Sequence, residues 1–243
     1  MNEQVIEALK HVRYKIVTDG RDLEEVYRLR YKCYRAERSI AENERGIMTD
    51  AFDETANCVH VAVEMDGKIL ASVRLHLMSK LSLTSPTLEV FPEILEDIKR
   101  GQTVLDSTRF VIDRAARKQR VPLHFLVLRI PFLATMFYDI DVALAPVRAE
   151  HTAFYRRYLG YELEMEPRSY PGLRKPIQLL TAKVREQRDA VLTDSRRAHS
   201  PRHGAQPTSS SDCCVDLDGP DFLLKLCLKL CGEKRPRAAL RMA

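Results

Sequence analysis

The chain has 243 residues, 45% of them hydrophobic and 30% charged, which suits one sizeable α/β domain with an appendage and is too short for two full domains. Trp is absent, which excludes a Trp-lined ligand cage, and no apolar run approaches the ~20 residues that span a bilayer. A formal net charge of +5 suits an acidic partner or a phosphorylated ligand without singling one out.

The first residues, MNEQVIEALKHVRYK, are charged throughout and lack the apolar core of a secretory signal, which points to a cytoplasmic protein. Residues 21–35 read as a helix, with apolar positions at helical intervals and Asp22 favourable in its first turn. Residues 36–57 have mixed charge and no clean period, the mark of a long loop. Two β-rich runs then flank Asp66-Gly67, a tight-turn pair, and predict a hairpin. A short helix is expected over 88–100 and a strand over 103–112. A largely apolar helix over 121–138 and a buried strand over 140–147 follow. A helix over 149–159 closes at Gly160, and 175–184 is the last strand. The pattern predicts an α/β or α+β domain over residues 1–190. Residues 191–220, rich in Ser, Pro, Gly and Arg, read as a disordered linker, and 221–243 as a short amphipathic, basic segment. That segment folds back on the domain or makes a dimer contact; a peripheral membrane contact is the second reading. Cys33, Cys58, Cys213, Cys214, Cys227 and Cys231 lack paired metal-ligand spacing, so no metal site is assigned.

Several charges stand inside apolar elements. Arg30 precedes Tyr34 by one helical turn, Asp50 and Asp53 frame Phe52, and Arg74 sits between Val73 and Leu75. In the strand around TVLDSTRF, alternation places Asp106 and Thr108 on one face and Ser107 and Arg109 on the other. Buried charges are costly unless paired. The residues therefore form either a structural ion-pair network or a cleft in which a carboxylate base and arginines organise a substrate.

The ordered series LRYKCY, DAFDE, DGKILASVRL and LDSTRFVID resembles the acyl-homoserine lactone synthases. The later LAPVRAEHTAFYRRYLGY resembles the FeeM-type N-acyl amino acid synthases more closely. The resemblance covers about residues 20–180 and implies a GNAT-like three-layer α/β/α fold with a central mixed, V-split sheet. It implies an acyltransferase moving a fatty acyl group, long-chain by this likeness, from a thioester to the amine of an amino acid or similar small amine. A lactone synthase and a catalytically silent relative that binds acyl chains or carrier protein are the alternatives. The positions carried over are Arg30, Tyr34, Asp50, Asp53, Arg74, Thr108 and Arg109 for substrate, with Arg109 and Arg148 as candidates for an acceptor carboxylate. Asp106 would act as the base, directly or through water, and Tyr155 by position, with Tyr158 as the alternative, as the acid that returns a proton to the leaving thiolate. A backbone N–H of a bulged strand would hold the oxyanion. Phe125, Leu128, Phe132 and Met136 would line the acyl tunnel or, equally, pack as core.

Three departures stand out: Ile40 replaces a usual Trp, Asp106 a usual Glu, and FYRRYLGY is one residue longer than the common GNAT pattern. No permanently bound cofactor is implied. The acyl donor would be an acyl-phosphopantetheine thioester, on acyl carrier protein or coenzyme A. The stretch DRAARKQRVP lacks the glycines with which GNAT enzymes hold coenzyme A pyrophosphate. It offers Arg114, Arg117, Lys118 and Arg120, which favour docking of an acidic acyl carrier protein. Without a reading module or aromatics interleaved with its cations, the chain is not expected to bind nucleic acid.

Overall fold

A computed structural model describes residues 2–117 and 122–187. The linker and C-terminal segment expected over 191–243 lie outside them. In chain order the elements are α1 (Asn2–Leu9), β1 (Val12–Val17), α2 (Gly20–Ala36), a 3₁₀ turn (Ala51–Glu54), β2 (Cys58–Met65) and β3 (Lys68–Met78). Then come α3 (Pro86–Val90), α4 (Ile94–Lys99), β4 (Val104–Ile112), α5 (Arg114–Arg117), α6 (Leu123–Phe137), β5 (Val142–Val147), α7 (Ala149–Leu159), β6 (Glu162–Arg168) and β7 (Ile177–Lys183).

The strands form one mixed sheet of order β1-β2-β3-β4-β5-β7-β6, antiparallel except for the β4–β5 pair. The hairpin turns at Asp66 and Gly67, both at positive φ (52° and 73°), as a primed turn requires. The helix expected over 88–100 is two helices. Phe91 precedes Pro92 and is pushed out of the helical region, which breaks the run. Helix α1 and the two edge strands β1 and β6 were not expected from the pattern. β6 alternates Glu162, Glu164 and Glu166 with Leu163 and Met165, and its outer acids guard the open edge.

Helix α2 starts on Asp19, whose carboxylate accepts the Asp22 N–H at 2.9 Å. It buries Val26, Leu29 and Cys33 with Ala62, Ile69 and Val111 on one face of the sheet. Helix α6 lays Leu126, Val127, Ile130 and Ala134 on Val61, Val73, Leu75 and Leu105 of the other face. Helices α3 and α4 cover Met78, Val104, Val142 and Leu144. The result is a three-layer α/β/α domain.

Two irregularities of β4 build the site. First, β4 and β5 pair only at Val104–Val142, Leu105–Ala143 and Asp106–Leu144; beyond that point both strands continue but separate, and the sheet splits into a V. Second, the register against β3 slips between Ser72–Val111 and Arg74–Thr108, and Arg109 adopts φ +53°. This is a β-bulge. It interrupts the expected alternation: Thr108 and Arg109 both reach the α2 side, while Phe110 and Ile112 pack towards α6.

Candidate active site

The D-x-x-D pair makes a reciprocal cap on the 3₁₀ turn. Asp50 accepts the Phe52 N–H at 3.0 Å, and Asp53 accepts the Asp50 N–H at 2.8 Å. Their remaining oxygens gather three arginines from three elements. Asp53 Oδ1 accepts from Arg30 Nη1 and Arg74 Nη1, both at 2.7 Å. Asp50 Oδ1 accepts from Arg74 Nη1 and Asp50 Oδ2 from Arg109 Nη2, both at 2.6 Å. Arg74 Nε also donates to Thr108 Oγ1 at 3.0 Å. Arg30 and Arg74 are fully buried. Burial alone would raise both carboxyl pKa values. The arginines outweigh it and hold Asp50 and Asp53 below the usual carboxylate range.

Two histidines missed in the sequence complete the network. His60 Nδ1 accepts from Arg30 Nη2 at 2.8 Å while its Nε2–H donates to Asp53 O at 3.0 Å. His76 Nε2–H donates to Phe52 O at 3.0 Å. Burial, reinforced by nearby arginines, lowers their pKa values to about 4 and about 3, so both are neutral. Their signal lay in the hairpin itself: each is a polar residue between apolar neighbours, and the register sets His60 opposite Arg74 and His76 opposite Asp106.

Between the splayed strands lies a cavity of about 930 Å³. Its walls are the β4 run Ser107–Ile112, the end of β5, the start of α6 with Phe125 and Leu128, and α7 with Phe154, Tyr155 and Tyr158. Cys33, Tyr34, Glu37 and Ser39 close it from the α2 side. The end of α2 is clasped to the other arm of the V, where Arg148 Nη2 donates to Glu37 Oε2 at 2.6 Å and Arg174 N–H to Ser39 O at 2.8 Å. Arg109 is the network member that reaches the cavity. Its guanidinium lies 5.7 Å from the ring centroids of both Tyr34 and Tyr170, held between two aromatics. The three arginines outnumber the two aspartates, so the cavity end of the network carries surplus positive charge.

The remaining expected residues divide. Tyr155 lines the cavity, its ring 5.6 Å from that of Tyr161, and burial raises its pKa to about 12. Tyr158 also lines the cavity, but it is 54% exposed at the rim. Arg148 lines the cavity with its guanidinium already engaged by Glu37 and Glu150. Arg30, Asp50, Asp53 and Arg74, expected to bind substrate, line no part of this cavity. They form the scaffold beneath Arg109. Asp106 is also fully buried and does not line the cavity: its carboxylate accepts Ser85 Oγ at 2.5 Å and Thr87 Oγ1 at 2.8 Å. Burial raises its pKa against these hydroxyls. Of the tunnel candidates, Phe125 and Leu128 line the cavity, whereas Phe132 and Met136 face solvent at 62% and 38% exposure. Apolar periodicity marked four residues and could not tell which were covered. Arg114 is exposed; the Arg117 side chain, Lys118 and Arg120 lie outside the described residues.

The family model described as N-acyl amino acid synthase FeeM matches residues 25–183. The chain belongs to the FeeM N-acyl amino acid synthase family. It is an acyltransferase, and its split sheet and cavity occupy the matched span. The structure of FeeM, an N-acyl amino acid synthase from uncultured soil microbes, superposes with a TM-score of 0.62 at 14% identity, covering 76% of this chain and 97% of that one. The CoA-dependent acyl-homoserine lactone synthase BjaI, solved with MTA, gives 0.55 at 17% identity over 82% of this chain and 95% of its own. The AHL synthase LasI gives 0.53 at 18% identity over 72% and 92%. These likenesses establish a shared GNAT-like acyltransferase fold. No curated protein sequence matches this one.

Proposed function

We propose that this FeeM-family acyltransferase moves a long-chain fatty acyl group from an acyl carrier protein thioester to the amine of an amino acid. The observation that carries the reading is the cavity of about 930 Å³ between β4 and β5, apolar along α6 and α7 and ending at Arg109. That volume lies at the upper end of ordinary ligand pockets and far exceeds an acetyl group. A carboxylate on the acceptor meets the surplus positive charge at Arg109.

In this mechanism the thioester lies in the V, with its carbonyl oxygen against the unpaired backbone of the Arg109 bulge. Asp106 lies behind the cavity wall, so in this reading the acceptor ammonium loses its proton to it through a chain of waters rather than directly, and its raised pKa makes it a stronger base than an exposed aspartate. The free amine attacks the carbonyl, the tetrahedral intermediate expels thiolate, which takes the Tyr155 proton, and the surplus proton on the new amide nitrogen returns to the Tyr155 phenolate, restoring the acid. Burial raises the Tyr155 pKa to about 12, which keeps the phenol protonated at neutral pH and makes its transfer to the thiolate uphill unless the nitrogen proton returns to it in the same step. The Gly-free, cation-rich stretch 113–122 supports carrier protein over coenzyme A as the donor.

Lipid extraction and mass spectrometry of an overexpressing strain should reveal N-acyl amino acids. The purified enzyme should use acyl-carrier-protein at least about tenfold better than the matched acyl-CoA. Asp106→Ala should abolish product. Unchanged yield in that variant would remove Asp106 from the mechanism, and consumption of S-adenosylmethionine with a lactone-reporter response would replace the amino acid reading.

A further inference from the structure

Helix α6 carries an apolar stripe that the domain covers only in part. Phe125, Leu128, Phe132 and Met136 follow one another at helical spacing over ~17 Å of helix. The first two form cavity wall; Phe132 and Met136 stand in solvent at 62% and 38% exposure. The stripe thus runs from the cavity to the C-terminal end of α6. The described chain passes that same end at Val184 and Arg185, two residues before Gln187, its last. Val184 N–H donates to Asp141 O at 2.9 Å, and Arg185 pairs with Asp139 and Asp141 at 3.1 Å. Asp139 follows the C-cap of α6 by one residue.

Beyond it, the sequence holds one strongly apolar run, DFLLKLCLKLC at 221–231. Its two lysines, Lys225 and Lys229, are four apart, so at helical period they share one face and leave the rest apolar. The intervening 33 residues, 188–220, are long enough to reach the stripe: a coil of that length has a root-mean-square span of about 30 Å, longer than the stripe. Such a tether supplies an effective concentration in the millimolar range, so even weak apolar contact is populated.

We propose that residues 221–231 of this chain dock on the exposed Phe132–Met136 stripe of α6. The docked segment covers an apolar surface continuous with the cavity wall and brings the C-terminus to the flank of the acyl cavity.

The native thiols provide the test. In the full-length chain, Phe132→Cys under mild oxidation should link to Cys227 or Cys231, mapped by peptide mass spectrometry. Lys68→Cys, exposed at the β2–β3 turn at the other end of the strands, serves as control. The Phe132→Cys linkage should exceed the control at least about tenfold and be independent of protein concentration. Trypsin should cut at Lys225 and Lys229 slowly in the native chain and at least about tenfold faster when Phe132 and Met136 are both changed to Glu. Equal linkage at both positions or no linkage would overturn the proposal. So would linkage between chains that grows with concentration, which would assign the stripe to a second copy. Protection of the two lysines only on adding anionic phospholipid vesicles would assign the segment to a membrane and equally overturn it.

Discussion

Arg109 joins the buried ion network to the cavity wall. Its backbone forms the bulge, its guanidinium is anchored on Asp50, and two tyrosine rings restrict its swing. If it holds the acceptor carboxylate, Arg109→Gln should raise the acceptor KM by at least about thirtyfold, because losing one partner of a desolvated charge pair costs ~2 kcal/mol or more. An amino acid amide has no carboxylate to lose. Wild-type enzyme should prefer the acid, and the variant should treat acid and amide alike; a preference that survives the substitution would place the carboxylate elsewhere. His60 and His76 give a second test at this scale. Their folded pKa values, about 4 and about 3, lie below the ~6.5 of an unfolded histidine. The stability they contribute is therefore complete above pH 6.5 and is lost as pH falls towards 4, because the unfolded chain binds protons that the folded chain refuses. Near pH 5 the two together should steepen the fall by about 2.5 kcal/mol per pH unit. Urea unfolding between pH 7 and 4.5 measures it, and His76→Asn should halve the slope.

At the scale of elements, α7 presents Tyr155, and its C-terminal end depends on Gly160. That residue has φ +66°, and its N–H, like that of Tyr161, closes on Tyr155 O. A Cβ there would lie 3.1 Å from the flexible Gln187 side chain, so backbone conformation rather than space decides the outcome. Gly160→Ala should lower stability by about 1 kcal/mol, a midpoint drop of about 2–4 °C by calorimetry, and slow turnover by loosening the last turn below Tyr155. Gly160→Asn should recover part of both. This glycine was legible in the sequence, as were the Asp66-Gly67 hairpin and the ion network. Turn residues and charges inside apolar runs leave a mark because their cost must be met somewhere. The bulge left none: an arginine occupies a left-handed position with no glycine to announce it, and strict alternation therefore put Thr108 and Arg109 on opposite faces. The edge strands escaped for a related reason. β6 buries little and reads as an acidic loop until β7 pairs with it.

For the molecule as a whole, the V-split converts a continuous sheet into two arms whose separation sets the size of the cavity, the space that the proposed function gives to an acyl chain. The arms are joined at the bottom by three residue pairs between β4 and β5 and tied across the top by Arg148–Glu37 and Arg174–Ser39. The cavity is therefore framed on both sides and should not widen freely to accept a longer substrate. Leu128 stands on its α6 wall, half-buried and free of the ion network. Leu128→Trp projects an indole into the cavity without touching Arg109, Tyr155 or Asp106. If the cavity measures chain length, this variant should shift the product profile towards shorter acyl groups while turnover with a short-chain donor stays within about threefold of wild type. Unfolding curves should stay close to wild type, because the cavity has room for the added ring. A competition assay with an equimolar ladder of acyl donors reads the profile directly. An unchanged ladder would mean that the chain runs along another wall, and equal loss at every length would mean that the indole blocks the thioester rather than the far end of the chain.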